Sequence, residues 1–309
     1  VLAAVWAGGT FKATNGQIYE AESAYNYIQV LEFDGTRYLR LNEGQGVHSV
    51  YNPNQLDYQG TWEQMMAAPF FNPAPFEISE VERIAIIGLA AGTTARQAAT
   101  VFGDVPMDGY EIDPKIIEVG REYFGLDEVG SLNAIAEDGR WGLEHSGELY
   151  SLIQIDAYRP PYIPPHLTTV EFFQLCREHL SERGALAMNV GRTATDRSLI
   201  EVLVATLQQV FPSVHVMDVP NSFNSIVYAT VQPSSFDNLI ANYAGLVEAD
   251  AHPLLLASIE RALANQRTAP DLYLRVLPVC RAASEALTLG GDGTIVDWLL
   301  VMLRFDASG

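Results

Sequence analysis

Four stretches carry side chains whose types and spacing could do chemistry. In the first, Ile86-Ile87-Gly88-Leu89-Ala90-Ala91-Gly92-Thr93-Thr94 reads as a strand running into a small-residue turn and then a helix. Gly88 and Gly92 would let the backbone approach a ligand, and the helix N-terminus would offer free N–H groups. The same turn also occurs with no ligand at all. In the second, Tyr110-Glu111-Ile112-Asp113-Pro114 ends the next strand, with Glu111 about twenty residues beyond the turn. An acidic side chain there can accept both ribose hydroxyls of a nucleoside. Asp113 reads instead as the cap of the helix that Pro114 begins. In the third, Glu137-Asp138-Gly139-Arg140 closes a further strand, so that Asp138 and Gly139 fall on the same rim as Gly88 and Glu111. Asp138 could accept a hydrogen bond from the exocyclic amine of adenine, or it could cap a turn or helix. In the fourth, Leu152-Ile153-Gln154-Ile155-Asp156 places a carboxylate at a strand end, where it suits a general base or a structural cap. Tyr158 and Arg159 follow on a Pro-rich loop, and His166 on the same loop is a rival base, although a lone His is more often structural.

These residues need a sheet to position them. From Val81 short apolar runs alternate with amphipathic stretches, which predicts βαβ units and a mostly parallel sheet. Strands are expected at Arg83–Ile87, Met107–Glu111, Leu132–Ala136, Tyr150–Asp156, Ala185–Val190, Val214–Val219 and Ser225–Thr230. Helices are expected at Thr94–Val101, Pro114–Tyr123, Thr169–Leu180 and Ser198–Val210. Ahead of this region residues 18–52 read as strands, with Asp34-Gly35 between two of them as a hairpin turn. The expected division is a β-hairpin unit at 1–62, a nucleoside-binding catalytic domain at 63–232 and a helical extension at 233–309.

Composition narrows the partners. A net charge of -20 over 309 residues repels a phosphate backbone, so nucleic acid is not expected, whereas a cationic substrate would be attracted. Acidity also serves solubility alone. Cys176 and Cys280 stand far apart with no CxxC or Cys/His cluster, so neither a disulfide framework nor a metal is expected. The apolar start Val1-Leu2-Ala3-Ala4-Val5-Trp6 is far short of the roughly 20 residues that cross a bilayer, and reads equally as a first strand or as the stub of a membrane segment.

The order of these motifs resembles the spermidine synthase family over about residues 18–232. The residues that carry the likeness are Glu22-Ser23-Ala24-Tyr25, the small-residue turn, Glu111, Asp138-Gly139 and Asp156. Similar stretches, including Ile163 to Thr169, mark the spermidine synthase-like domains fused to membrane-transporter-like segments. The resemblance implies an α/β, Rossmann-like fold of the S-adenosylmethionine-dependent transferases, with a small N-terminal antiparallel β unit and a helical C-terminal extension. It implies that Glu111 holds ribose, Asp138 reads adenine and Asp156 takes the proton from an attacking amine. The co-substrate would be decarboxylated S-adenosylmethionine or S-adenosylmethionine itself, with no metal, and the acceptor a small-molecule amine or other nucleophile. Methyl transfer and nucleoside binding without turnover are the alternatives. A homodimer and a membrane segment outside this sequence are further implied partners, with a cytoplasmic or membrane-tethered location. Two departures bear on the acceptor: the family's Gly-Gly-Gly-Asp-Gly turn is Gly88-Leu89-Ala90-Ala91-Gly92 here, and the second Asp of its Asp-x-x-Asp-Pro is Arg159.

Overall fold

A computed structural model describes residues 14–42, 46–158 and 163–267. Arg159, Cys280, the apolar start and the stretch beyond residue 267 lie outside the described residues. The chain opens with four antiparallel strands in sequential order: β1 (Gln17–Glu22), β2 (Tyr27–Phe33), β3 (Thr36–Leu41) and β4 (Val47–Tyr51). Asp34 and Gly35 both take positive φ, 50° and 74°, as a type I′ turn requires. A short helix α1 (Thr61–Gln64) and a 3-10 segment (Met65–Phe71) follow.

The second sheet is built by β5 (Ile84–Ile87), α2 (Thr93–Phe102), β6 (Met107–Glu111), α3 (Pro114–Tyr123), β7 (Leu132–Ala136), α4 (Gly139–His145), β8 (Tyr150–Ile155), α5 (Val170–Glu178), β9 (Leu180–Gly191), α6 (Ser198–Leu207), β10 (Ser213–Asp218) and β11 (Asn224–Thr230). Then come α7 (Phe236–Glu248), α8 (Pro253–Ala264) and the two-residue β12 (Gln266–Arg267). The strand order is β12-β10-β11-β9-β8-β5-β6-β7. Strands β7, β6, β5, β8 and β9 run parallel, while β11 runs antiparallel to both β9 and β10. The fold class is the one the sequence predicts.

Boundaries differ in places with physical reasons. The helix expected at Thr169–Leu180 ends at Glu178, because Leu180 already pairs with Tyr150 as the start of β9. That strand runs twelve residues, with a register shift opposite Tyr150 and Leu152 that places Gly184 where a side chain would meet Leu180. Helix α4 has no clear apolar period in the sequence and was not expected. Nor was the 3-10 segment, where Met65, Met66, Phe70 and Phe71 are fully buried against the sheet. Strands β8 and β5 are buried along their whole length, which is why they read as continuous apolar runs.

Candidate nucleoside and acceptor site

The carboxyl ends of β5, β6, β7 and β8 are neighbours, so their terminal residues share one rim. Gly88 follows β5 with φ +88°, and a Cβ on it would stand 2.6 Å from the Asp156 carbonyl oxygen and 2.7 Å from the Ala157 nitrogen. The missing side chain is what lets the turn close onto the end of β8, where Asp156 N donates to Ile87 O at 2.8 Å. Gly92 takes φ +89° as the cap of α2, and a Cβ there would collide with Leu126. Ala90 between them takes φ +48°, a left-handed conformation that disfavours an L side chain. Replacing Ala90 by glycine is therefore expected to stabilise the fold by roughly 0.5–1 kcal/mol, measured by urea denaturation. A loss of stability would mean that the methyl group's packing outweighs the strain.

Glu111 lies 8% exposed at the end of β6. Its Oε2 accepts from Ala90 N at 2.9 Å and its Oε1 from Asp113 N at 3.1 Å. Each oxygen keeps a lone pair for a further donor. Burial pushes the carboxyl up to about 7, against the lowering effect of those backbone bonds. Asp113 caps α3 through Lys115 N at 3.0 Å. Its other oxygen accepts from Ser23 Oγ at 2.5 Å and Asn26 Nδ2 at 2.9 Å, tying the β1–β2 turn of the small sheet to the rim.

Asp138 caps α4, its Oδ1 accepting from Arg140 N and Trp141 N at 3.0 Å each. Its Oδ2 lies 2.8 Å from His166 Nε2, and Arg140 Nη1 donates to His166 O at 2.9 Å. The cap and the rim position thus coexist in one side chain, and the segment around His166 is fastened to it. Gly139 is demanded by packing: a Cβ would sit 2.5 Å from Ile87 Cγ2, where α4 rests on β5.

Asp156 follows β8 on the same strand face as Leu152 and Gln154. Its Oδ1 accepts from Asn189 Nδ2 at 2.8 Å, and Asn189 Oδ1 accepts from Asn224 Nδ2 at 2.9 Å. Burial raises the carboxyl to about 6, with the Asn189 bond opposing that rise. Tyr158 accepts from Gly191 N through its phenol oxygen, and burial raises that phenol too. Sequence reading missed Asn189 and Asn224. The available signal was that Asn189 alone is polar in Leu186-Ala187-Met188-Asn189-Val190. It also passed over Ile112, which is 44% exposed beside Glu111 and gives the rim an apolar surface. Arg159 falls outside the described residues.

A family model described as spermine/spermidine synthase domain matches residues 71–237, more than half of the chain. A probable polyamine aminopropyl transferase of Bifidobacterium longum is 32% identical over 225 residues, covering 72% of this chain and 48% of that protein. The chain thus spans about half the length of that curated relative. The spermidine synthase of Thermotoga maritima aligns in structure with a TM-score of 0.65 and 19% identity, over 85% of this chain and 88% of that one. Human methyltransferase-like protein 13, solved in complex with SAH, aligns with a TM-score of 0.52 and 21% identity, over 70% of this chain and 97% of that one. On the family match, the chain belongs to the spermine/spermidine synthase domain family.

Proposed function

We propose that the chain transfers an aminopropyl group from decarboxylated S-adenosylmethionine, or reacts with S-adenosylmethionine itself, using an amine acceptor other than simple putrescine. The observation that supports it best is the placement of Asp156, held by Asn189 and pushed up by burial to about 6, on the rim that also holds Glu111 and Asp138. Glu111 would accept the ribose hydroxyls, Asp138 Oδ2 the adenine amine, and Ile112 would lie against the base. Gly88, Gly92 and Gly139 would shape the backbone around the nucleoside, Tyr158 would border the acceptor side, and His166, 2.8 Å from Asp138 Oδ2, would border the adenine.

In the reaction, the acceptor nitrogen forms a bond to the carbon next to the sulfonium as the carbon–sulfur bond breaks. The electron pair goes to sulfur, and methylthioadenosine leaves as a neutral thioether. The nitrogen must be unprotonated to attack, and the proton it sheds passes to Asp156. The sulfonium is already a good leaving group, so the protein's task is orientation and proton removal.

Incubation with each donor and a panel of amines, following methylthioadenosine against S-adenosylhomocysteine, tests this reading. Methylthioadenosine formed with an amine supports it. S-adenosylhomocysteine would instead indicate methyl transfer, and neither product would indicate a domain that binds the nucleoside without turnover. Putrescine is expected to be a poor acceptor. In the sequence Arg159 stands where the resemblance expects a carboxylate, and two like charges at ~4 Å in an effective dielectric near ~20 repel by about 4 kcal/mol. Arg159→Asp should raise putrescine kcat/KM by about tenfold or more. Efficient putrescine turnover by the unmodified chain would refute this.

A further inference from the structure

The turn between β5 and α2 spends its N–H groups on partners within the protein. Gly88 N and Leu89 N donate to Tyr110 O at 3.0 and 2.9 Å, and Gly92 N donates to Leu89 O at 3.0 Å. Ala90 N is held by Glu111 Oε2 at 2.9 Å, and Ala91 N by Ser49 Oγ of β4 at 3.0 Å. Strand β4 also covers the first turn of α2: Thr93 Oγ1 accepts from Val50 N at 2.8 Å and donates to Val50 O at 2.9 Å. Thr93, Thr94 and Ala95 are all buried there.

An amino-acid or alkylamine chain needs one of two things from such a turn. A carboxylate needs free N–H groups, and an ammonium needs a carboxylate or free carbonyl. Every N–H from Gly88 to Gly92 has a partner within the protein. Ala91, at the position where the resemblance expects a carboxylate, is 1% exposed and packs with Ile28, Val30 and Leu39 of the small sheet. Of the acidic side chains on the rim, Glu111 already accepts from Ala90 N and Asp113 N and is assigned the ribose, Asp113 is fully buried and holds Ser23 and Asn26, and Asp156 is assigned the acceptor's proton.

We propose that this site recognises its donor through the nucleoside alone, the chain on sulfur adding little to affinity. The proposal rests on the nucleoside-binding reading above. Choice between a decarboxylated and a carboxylated donor would then arise in the reacting complex, when the acceptor is present, and not in donor binding.

Thioether ligands isolate the effect because they lack the sulfonium charge. Calorimetric titration of the whole chain with methylthioadenosine, S-adenosylhomocysteine and decarboxylated S-adenosylhomocysteine should give dissociation constants within about threefold of one another. A single charge-assisted contact to the chain end would instead separate them by roughly 10- to 100-fold. A preference of tenfold or more for either longer ligand overturns the inference while leaving nucleoside binding intact. No binding by any of the three refutes the nucleoside reading itself, and the inference with it.

Discussion

Asp156→Asn is expected to lower kcat by about 10²- to 10⁴-fold while leaving methylthioadenosine affinity within a factor of two or so. Asparagine keeps the oxygen that accepts from Asn189, so the geometry at the end of β8 is preserved while the base is lost. At saturating donor, the unmodified protein should show kcat/KM for the acceptor rising with pH through about 6, as the carboxyl ionises. The variant should lose that limb. Stability moves the other way. Because burial raises this carboxyl above its ordinary value of 3.8, its contribution to stability is present below that value and is lost as pH rises through about 6. Asp156→Asn should therefore be more stable than the parent at pH 8 than at pH 5, by on the order of 1–3 kcal/mol in urea denaturation. Unchanged turnover in the variant would remove Asp156 from the chemistry.

The rim was legible in the sequence because it depends on local order. Apolar runs ending in Gly88, Glu111, Glu137-Asp138 and Asp156 alternate with helical stretches, and parallel strands in a βαβ arrangement put all their carboxyl ends on one side. What escaped depends on contacts between distant parts of the chain. Asn189 and Asn224 meet only because β11 returns antiparallel beside β9, a pairing no local period announces. Asp113 reads correctly as a helix cap from its neighbours, but its hold on Ser23 spans ninety residues. The substitution of alanine at position 91 was plain in the sequence. Its consequence, a turn covered by Ser49 and Val50, needed the docking of the small sheet on α2 and α3. The buried segment Met65–Phe71 was missed because a 3-10 stretch interrupted by Pro69 shows neither the period of a helix nor that of a strand.

Glu111→Ala is expected to weaken methylthioadenosine binding by about 10²- to 10⁴-fold, since two charge-assisted bonds of about 1.5–3 kcal/mol each would be lost together. Removing the carboxylate also strips Ala90 N and Asp113 N of their acceptor, which destabilises the turn. That loss is offset in part by removal of a charge whose burial is itself unfavourable. The fold is therefore expected to survive. The pH dependence separates a ribose ligand from a purely structural acid. With its carboxyl raised from 4.5 to about 7, Glu111 contributes stability to the free protein that is present below pH ~4.5 and lost as pH rises through 7. A nucleoside that accepts only the ionised form reverses this, so its affinity should fall as pH drops below about 7, by up to tenfold per unit. The rise in melting temperature on adding methylthioadenosine should thus be larger at pH 8 than at pH 6. In Glu111→Ala the residual affinity should be flat over the same range. A structural acid would change melting of the free protein with pH and leave the ligand-induced shift constant. Affinity retained in Glu111→Ala, measured by calorimetry on the folded variant, would place the ribose elsewhere on the rim.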